Sequence, residues 1–330
     1  MASHDITVLH QGRPGSTDPT VVSAWETQGH LITALRALGH AADSLFLDAE
    51  FEWATTLARR SPDLVFNAAD LGLRYDIVME PNIAAVLEGT GLPFTGSGAY
   101  AGALSGDKYS SKVLLRALGV PVPECHRLDQ LPPELPMPVI LKPRHGHNSL
   151  GMTAASVFVD RPSLEAEARR LQPHGRRWVV EAYIDGDEAQ VAFVGNQPRR
   201  LLPQSTITFG PAFDGGPRIL DYSAKWEPDS AAFRDSTPEP ARYGQDLQRR
   251  IDALLERVAE ALDVRDYGRC DVRLRETPSG LEPLFIDINT NPDLHPSAGL
   301  ARMAAAGGLS YAALLGQIVD AANARQEARL

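Results

Sequence analysis

The chain has 330 residues, more than one ordinary domain needs and enough to bury a large core without disulfides or structural metals. Lys and Arg number 32 against 42 Asp and Glu, a formal charge of −10 at pH 7. That balance excludes a surface built to neutralise nucleic-acid phosphates, but not a small anionic ligand held by a few local cations. Apolar residues at 43% with 22% charged exclude disorder. No run approaches the roughly 18 apolar residues of a membrane span. The two distant cysteines, Cys125 and Cys270, make neither a disulfide framework nor a zinc site. No basic-then-apolar leader opens the chain, so the expected location is a reducing cytoplasm.

Ile6–Leu9 is a short apolar run, followed by helical spacing at Leu31, Leu35 and Leu38 up to Gly39. Asp63–Asn67 reads as a second buried strand, and Ile83, Val86 and Leu87 mark a helix ending at Gly89. Alternating strand and helix imply an open parallel sheet, with ligand-binding loops after Leu9 and Asn67. Lys108–Leu118 is an amphipathic helix, Val139–Leu141 a strand, Arg161–Leu171 a helix, and Arg177–Ala182 and Glu188–Val194 strands. Glu227–Arg242 shows no period and is expected to be a loop. Leu247 to Leu262 forms the clearest amphipathic helix, Gly268–Arg275 and Leu281–Ile288 bracket a hairpin turn, and Tyr311–Arg325 closes the chain as a helix.

Three features carry chemistry. Asp271 lies on one hairpin strand, with Asp287 and Asn289 two apart on the other and so on one face. Two carboxylates and an amide oxygen suit Mg²⁺, although acidic residues also alternate outward into solvent on half-exposed strands. The apolar neighbours Cys270, Val272, Phe285, Ile286 and Ile288 favour the cation, which an inward carboxylate would need. Lys142 precedes a turn containing Gly146, Asn148, Ser149 and Gly151, a pattern that can cradle phosphate or simply close a hairpin. Glu181-Ala182-Tyr183-Ile184, with Glu188 seven residues after Glu181, could read adenine and ribose.

Taken in order, these features resemble the D-alanine–D-alanine ligase branch of the ATP-grasp superfamily over nearly the whole chain. The matching segments include Phe94-Thr95-Gly96-Ser97-Gly98, Asp107-Lys108-Tyr109-Ser110-Ser111-Lys112 and Val139-Ile140-Leu141-Lys142-Pro143. They continue through Ser149-Leu150-Gly151-Met152, Asp221-Tyr222-Ser223-Ala224-Lys225, Gly268-Arg269-Cys270-Asp271 and Asp287-Ile288-Asn289-Thr290. The resemblance implies an α/β, ATP-grasp fold. An N-terminal open parallel α/β domain would span 1–103, and two α+β subdomains, 104–185 and 186–330, would sandwich ATP. It also implies ATP and Mg²⁺ as cofactors, as one or two ions, with Mn²⁺ able to substitute. By the same resemblance Lys108 and Lys142 hold nucleotide phosphates, Ser149 sits in the flap above them, and Lys225 reaches the γ-phosphate. Glu181, Ala182, Tyr183 and Ile184 form the adenine hinge and Glu188 binds ribose. Asp271, Asp287 and Asn289 ligate the metal, and Arg269 steadies the tetrahedral intermediate. Asp287 replaces the family's usual Glu and is one methylene shorter, which leaves the number of ions open.

The substrate side departs from the pattern. Thr20 falls near the position of the amine-binding Glu, and Asn67-Ala68-Ala69-Asp70 replaces the family's His-Gly. Pro292-Asp293-Leu294-His295 follows the metal strand, and Ala298-Gly299 replaces a Ser-Leu pair, with Ser297 one place early. Changes concentrated at one pocket, beside an intact nucleotide side, point to a different substrate. Asp18, Asp70 and Glu80 are candidate partners of a substrate amine, and Arg13 and Arg74 of a carboxylate. Asp293 and Ser297 lie near the second substrate position. The expected activity is an ATP-dependent carboxylate–amine ligase working through an acyl-phosphate on an amino-acid-like small molecule. Specialised metabolism such as antibiotic biosynthesis, including intramolecular cyclisation, is its expected setting. Three other readings stay open: D-alanine–D-alanine ligation for the cell wall, a kinase stopping at phosphoryl transfer, and a nucleotide-binding regulator without turnover. Neither nucleic acid nor membrane is an expected partner; a homodimer is left open.

Overall fold

The computed structural model describes residues 3–146, 151–227 and 229–327. The first sheet is parallel, in the order β2-β1-β3, from β1 (Asp5–His10), β2 (Ala41–Phe46) and β3 (Leu64–Asn67). Helices α1 (Pro19–Ala37) and α2 (Glu52–Arg60) make the crossovers, and α3 (Glu80–Thr90), α4 (Ala99–Gly106) and α5 (Lys108–Ala117) follow. Ile6, Val8, Leu9 and Phe66 are fully buried, as strands covered by helices on both faces must be. Sequence reading passes over β2 and α2. Ala41-Ala42-Asp43-Ser44 is too polar to read as a strand alone; parallel pairing from Asp5↔Ala41 to His10↔Phe46 makes it one.

The second sheet is antiparallel, in the order β4-β7-β5-β6, from β4 (Cys125–Arg127), β5 (Val139–Pro143), β6 (Val157–Phe158) and β7 (Trp178–Ala182), with α6 (Arg161–Leu171) before its last strand. The third holds β8 (Glu188–Val194), β9 (Arg200–Leu201), β10 (Ser205–Phe209) and β11 (Ser236–Pro240). It is completed by β12 (Tyr267–Thr277) and β13 (Gly280–Asn289), in the order β11-β10-β8-β12-β13 with β9 on β8. Helices α7 (Tyr222–Trp226), α8 (Ala231–Arg234), α9 (Gln245–Ala261), α10 (Gly299–Ala306) and α11 (Tyr311–Glu327) complete the chain.

The expected loop at 227–242 is corrected: it contains α8 and the edge strand β11. Pro238 and Pro240 hid the strand, yet they fall two apart, on one edge. Both missing N–H donors then lie on the same side, which an outermost strand tolerates.

The hydrophobic clusters cross the sheets. Ile6, Val8, Leu31 and Leu35 pack with Val194 and Tyr267 and with Leu314, Leu315 and Ile318 of α11. Leu115 of α5 joins α9 and the inner residues Val191, Cys270 and Val272 of the third sheet. No described helix is long and apolar enough to cross a membrane.

A buried carboxylate fixes this junction. Asp266, 0% exposed, accepts from the Gly96 N–H at 2.8 Å, Asn196 Nδ2 at 2.9 Å and Arg325 Nη2 at 2.8 Å. Removing one partner of a buried ion pair strands the other, so Asp266→Ala should lower stability by about 3–5 kcal/mol in urea unfolding. Asp263→Asn is the control: like Asp266 it has positive φ, which Asn tolerates, but it is exposed, so the change should alter stability by less than about 0.5 kcal/mol.

Candidate active site

The β12–β13 hairpin pairs Arg269 with Asn289, Cys270 with Ile288 and Asp271 with Asp287. The register then slips, because Val272 pairs with Phe285 and Ile286 is left as the extra residue of a bulge. The slip breaks the two-residue alternation of β13. Phe285 therefore enters the core while Asp287 and Asn289 line a cleft opposite Asp271. Arg269 Nε lies 3.3 Å from Asp271 Oδ1, and Gln190 Nε2 is 3.4 Å from the same oxygen, long contacts that leave the carboxylate available to a cation. Asp271 also raises the Arg269 pKa further. Two carboxylates and an amide oxygen facing one cleft form a donor set that fits Mg²⁺.

Facing the hairpin, Lys142 at the end of β5 places Nζ 2.8 Å from Glu181 Oε2 on β7. Glu181 is buried, which alone would raise its pKa, but Lys112 and Lys142 hold it down at about 2. Lys108 opens α5 and donates to the Gly146 carbonyl; burial lowers its pKa and Asp287 partly offsets this. Ile140, Met152, Ile184 and Ile219 line an apolar end of the same cleft beside Ala182 and Tyr183. Glu188 also lines it, held by Arg273 Nη2 at 2.8 Å.

A second cavity of about 630 Å³ adjoins the cleft, and Ile77, Leu220, Lys225, Arg269 and Asn289 line both. Helix α1, through Thr20, Ser23 and Ala24, and the loop after β3, through Ala68, Asp70 and Leu71, form part of its wall. Gln11 Oε1 accepts from Leu71 N–H at 3.0 Å, and its amide donates to the Gly72 carbonyl at 2.6 Å. Gly72 is required there: its φ is +76°, and a Cβ would lie 1.9 Å from the Asp76 carbonyl oxygen.

The expected site residues divide. Lys108, Lys142, Glu181, Ala182, Tyr183, Ile184, Glu188, Lys225, Arg269, Asp271, Asp287 and Asn289 all line the first cleft. Ser149 lies outside the described residues. Asp70, Glu80 and Asp293 line the second cavity together with Thr20, Ala298 and Gly299. The other four substrate candidates do not. Arg13 is exposed, its guanidinium 4.7 Å from the Phe46 ring centre. Asp18 caps α1, accepting from Thr20 N–H at 2.9 Å and Thr20 Oγ1 at 2.7 Å. Arg74 is exposed, and the exposed Ser297 lies 2.7 Å from His295 Nδ1.

Sequence reasoning missed Lys112, Gln190, Arg273 and Arg302. Lys112 is one helical turn from Lys108, and Arg273 is two residues from Asp271, so periodicity could have found both. Arg302 lines the second cavity from α10, where burial and then Arg269 lower its pKa. Only the packing of α10 against the hairpin brings it there, and no local pattern announces that.

The family model for the C-terminus of D-alanine–D-alanine ligase matches residues 115–320. The chain belongs to the D-alanine–D-alanine ligase family. It is an ATP-dependent ligase that forms C–N bonds, with ATP and Mg²⁺ as cofactors. Among its relatives, an uncharacterised protein of Sinorhizobium fredii is 30% identical, covering 95% of this ligase and 92% of the other chain. The D-alanine–D-alanine ligase of Gluconobacter oxydans is 31% identical, covering 89% and 92%. The crystal structure of the Bacillus anthracis D-alanine–D-alanine ligase complexed with ATP superposes with a TM-score of 0.74. It covers 99% of this ligase and 100% of that chain at 19% identity, a likeness of fold.

The turn between α4 and α5 gives the ligase an acid-sensitive clamp. Asp107 accepts from Arg144 Nε at 2.8 Å and Nη2 at 2.6 Å, and from Ser110 Oγ at 2.6 Å. Burial opposes ionisation of Asp107, but these hydrogen bonds hold its pKa at about 2. A depressed carboxylate stabilises fully above its unfolded value near 3.8 and loses that contribution as pH falls through about 2. Asp107→Asn should therefore cost roughly 1–2 kcal/mol at pH 7, after allowance for its partial exposure. It should also flatten the fall in urea midpoint between pH 4 and 2; an unaltered acid limb would refute the clamp.

Proposed function

We propose that this ligase joins a carboxylate to an amine on an amino-acid-like substrate other than a pair of D-alanines. The observation that carries the reading is the charged wall of the second cavity. Burial and then Asp293 push Asp70 up to about 7, and burial and then Asp70 raise Glu80 well above the usual carboxylate range. Crowded carboxylates repel one another once ionised, so a cation among them favours their charged form. A substrate ammonium or amidinium group is the natural one, with Arg302 and Arg269 as partners for a carboxylate. The uncharged Thr20 and the hydroxyl-free Ala298-Gly299 offer less to two small alanines. A cavity of about 630 Å³ admits a larger molecule, within the ~300–1,000 Å³ of small-molecule sites. A role in specialised metabolism suits such a pocket, and the buried free thiols of Cys125 and Cys270 suit a reducing cytoplasm.

In this reading ATP lies in the first cleft, adenine against the 181–184 hinge and ribose toward Glu188, with Lys108 and Lys142 on the phosphates. A carboxylate oxygen bonds to the γ-phosphorus as the bond to the ADP oxygen breaks. An amine nitrogen then attacks the acyl carbon, phosphate leaves with the C–O electron pair, and the nitrogen loses a proton. Lys225 and Arg269 line both cavities, where they can offset charge on the phosphoryl group and on the oxyanion. Asp271, Asp287 and Asn289 would hold Mg²⁺, which supplies Lewis-acid charge neutralisation when bound. Among the described residues, 231–238 wall the second cavity through Phe233, Arg234 and Ser236–Pro238, as needed to keep water from an acyl-phosphate.

The metal assignment has a direct test. Asp271→Asn and Asp287→Asn should each abolish ligation at saturating Mg²⁺ and ATP while the thermal melt stays cooperative. Near-wild-type turnover in both variants would sink the assignment.

Substrate choice is tested by ADP release across pairs of amino acids and amines, with D-alanine among them and products identified by mass. D-alanine at saturation should give little D-alanyl-D-alanine; robust dipeptide formation would restore the activity by which many relatives are named. For the pair the screen returns, kcat/KM should rise as pH climbs through about 7, because a cationic group needs Asp70 ionised. Asp70→Asn should remove that rise.

A further inference from the structure

Lys112 is 1% exposed and lines neither cavity. Its Nζ lies 2.8 Å from Glu181 Oε1 and donates to the carbonyl of the bulge residue Ile286 at 2.8 Å. The other oxygen of Glu181 lies 2.8 Å from Lys142 Nζ. One buried carboxylate is thus shared between a lysine sealed beneath the cleft and a lysine that lines it. Burial alone would lower the Lys112 pKa, but the charge of Glu181 reverses this and leaves it above its ordinary value.

An ammonium is costly to bury, and the Phe285 ring centre lies 5.8 Å from Nζ, so an uncharged side chain of similar length would pack there more cheaply. What it would not supply is charge. Lys112, Glu181 and Lys142 together carry +1; without Lys112, Glu181 and Lys142 cancel. Inside a low-dielectric cleft that single charge is weakly screened.

We infer that Lys112 is a positioning residue for nucleotide binding: by neutralising Glu181 from below, it leaves Lys142 free to present positive charge to the phosphates of ATP. The inference rests on the assignment of the first cleft to ATP.

Binding separates this role from packing. Calorimetric titration of ADP with Mg²⁺, and of adenosine, is compared for the wild type, Lys112→Met, Lys112→Arg and the double variant Lys112→Met/Glu181→Gln. Lys112→Met should weaken ADP at least tenfold and adenosine less than twofold, while Lys112→Arg stays near wild type. The double variant again totals +1 and should regain most of the preference for ADP over adenosine. Equal losses for both ligands, no loss, or a double variant as weak for ADP as the single would each overturn the inference. If Lys112→Met does not fold, the double variant decides alone, since it removes the buried ion pair as a unit: a wild-type preference supports the charge balance, and a lost preference refutes it. A wild type that binds neither ligand would overturn the ATP assignment and the inference with it, an outcome distinct from any change confined to the variants.

Discussion

Strand β12 must satisfy two neighbours at once, β8 on one side and β13 on the other. That constraint places Gln190, Asp271 and Asp287 in one cross-strand row and Glu188 beside Arg273 in another. Because β-strand side chains alternate, Arg269, Asp271 and Arg273 share one face while Cys270, Val272 and Leu274 fill the core beneath α9. The bulge at Ile286 then lets β13 supply Phe285 to the core and Asp287 to the cleft within three residues. It also turns toward Lys112 the carbonyl that this lysine caps. The placement of Asp287 and the hydrogen bond of Lys112 thus both depend on one irregularity in one hairpin.

Charge balance is the second constraint, and the two cavities meet it differently. In the first cleft the groups are already paired: Glu181 with two lysines, and Glu188 with Arg273. These carboxylates need no ligand to balance their charge. In the second cavity Asp70, Glu80 and Asp293 crowd one another, and the carboxyls of Asp70 and Glu80 are driven toward the neutral form. A preformed site beside an unbalanced one gains most from the ligand that restores balance.

Much of this was legible in the residues. The parallel alternation of the first sheet, α6, α9 and the hairpin follow from periodicity and turn chemistry, and most of the expected residues that line the first cleft fall within the short segments that carry the family resemblance. What was not legible depends on partners distant in sequence. The polar segment of β2 is a strand only because β1 pairs with it, and β11 is hidden by prolines that only an edge position allows. Asp18, a candidate substrate carboxylate, caps α1 and does not line the second cavity, and its position before Pro19 points to the cap. Arg302 could not have been anticipated, since its place depends on how α10 meets a hairpin formed earlier in the chain.

Where the cavities meet decides which part of a substrate reacts. Lys225, Arg269 and Asn289 line both spaces, so a carboxylate entering from the second cavity meets the phosphoryl group only at this shared wall. The acidic wall of Asp70, Glu80 and Asp293 belongs to the second cavity alone. On the proposed function, a cationic group held there would tether the molecule outside the first cleft, while its carboxylate reached back to Lys225 and Arg269. Substrate choice then reduces to the span between cation and carboxylate. One end of that span would be set by the loop after β3, braced through Gln11 and Gly72, and the other by the shared wall, so on the proposed function a change in that loop alters substrate choice while leaving Lys225 and Arg269 in place.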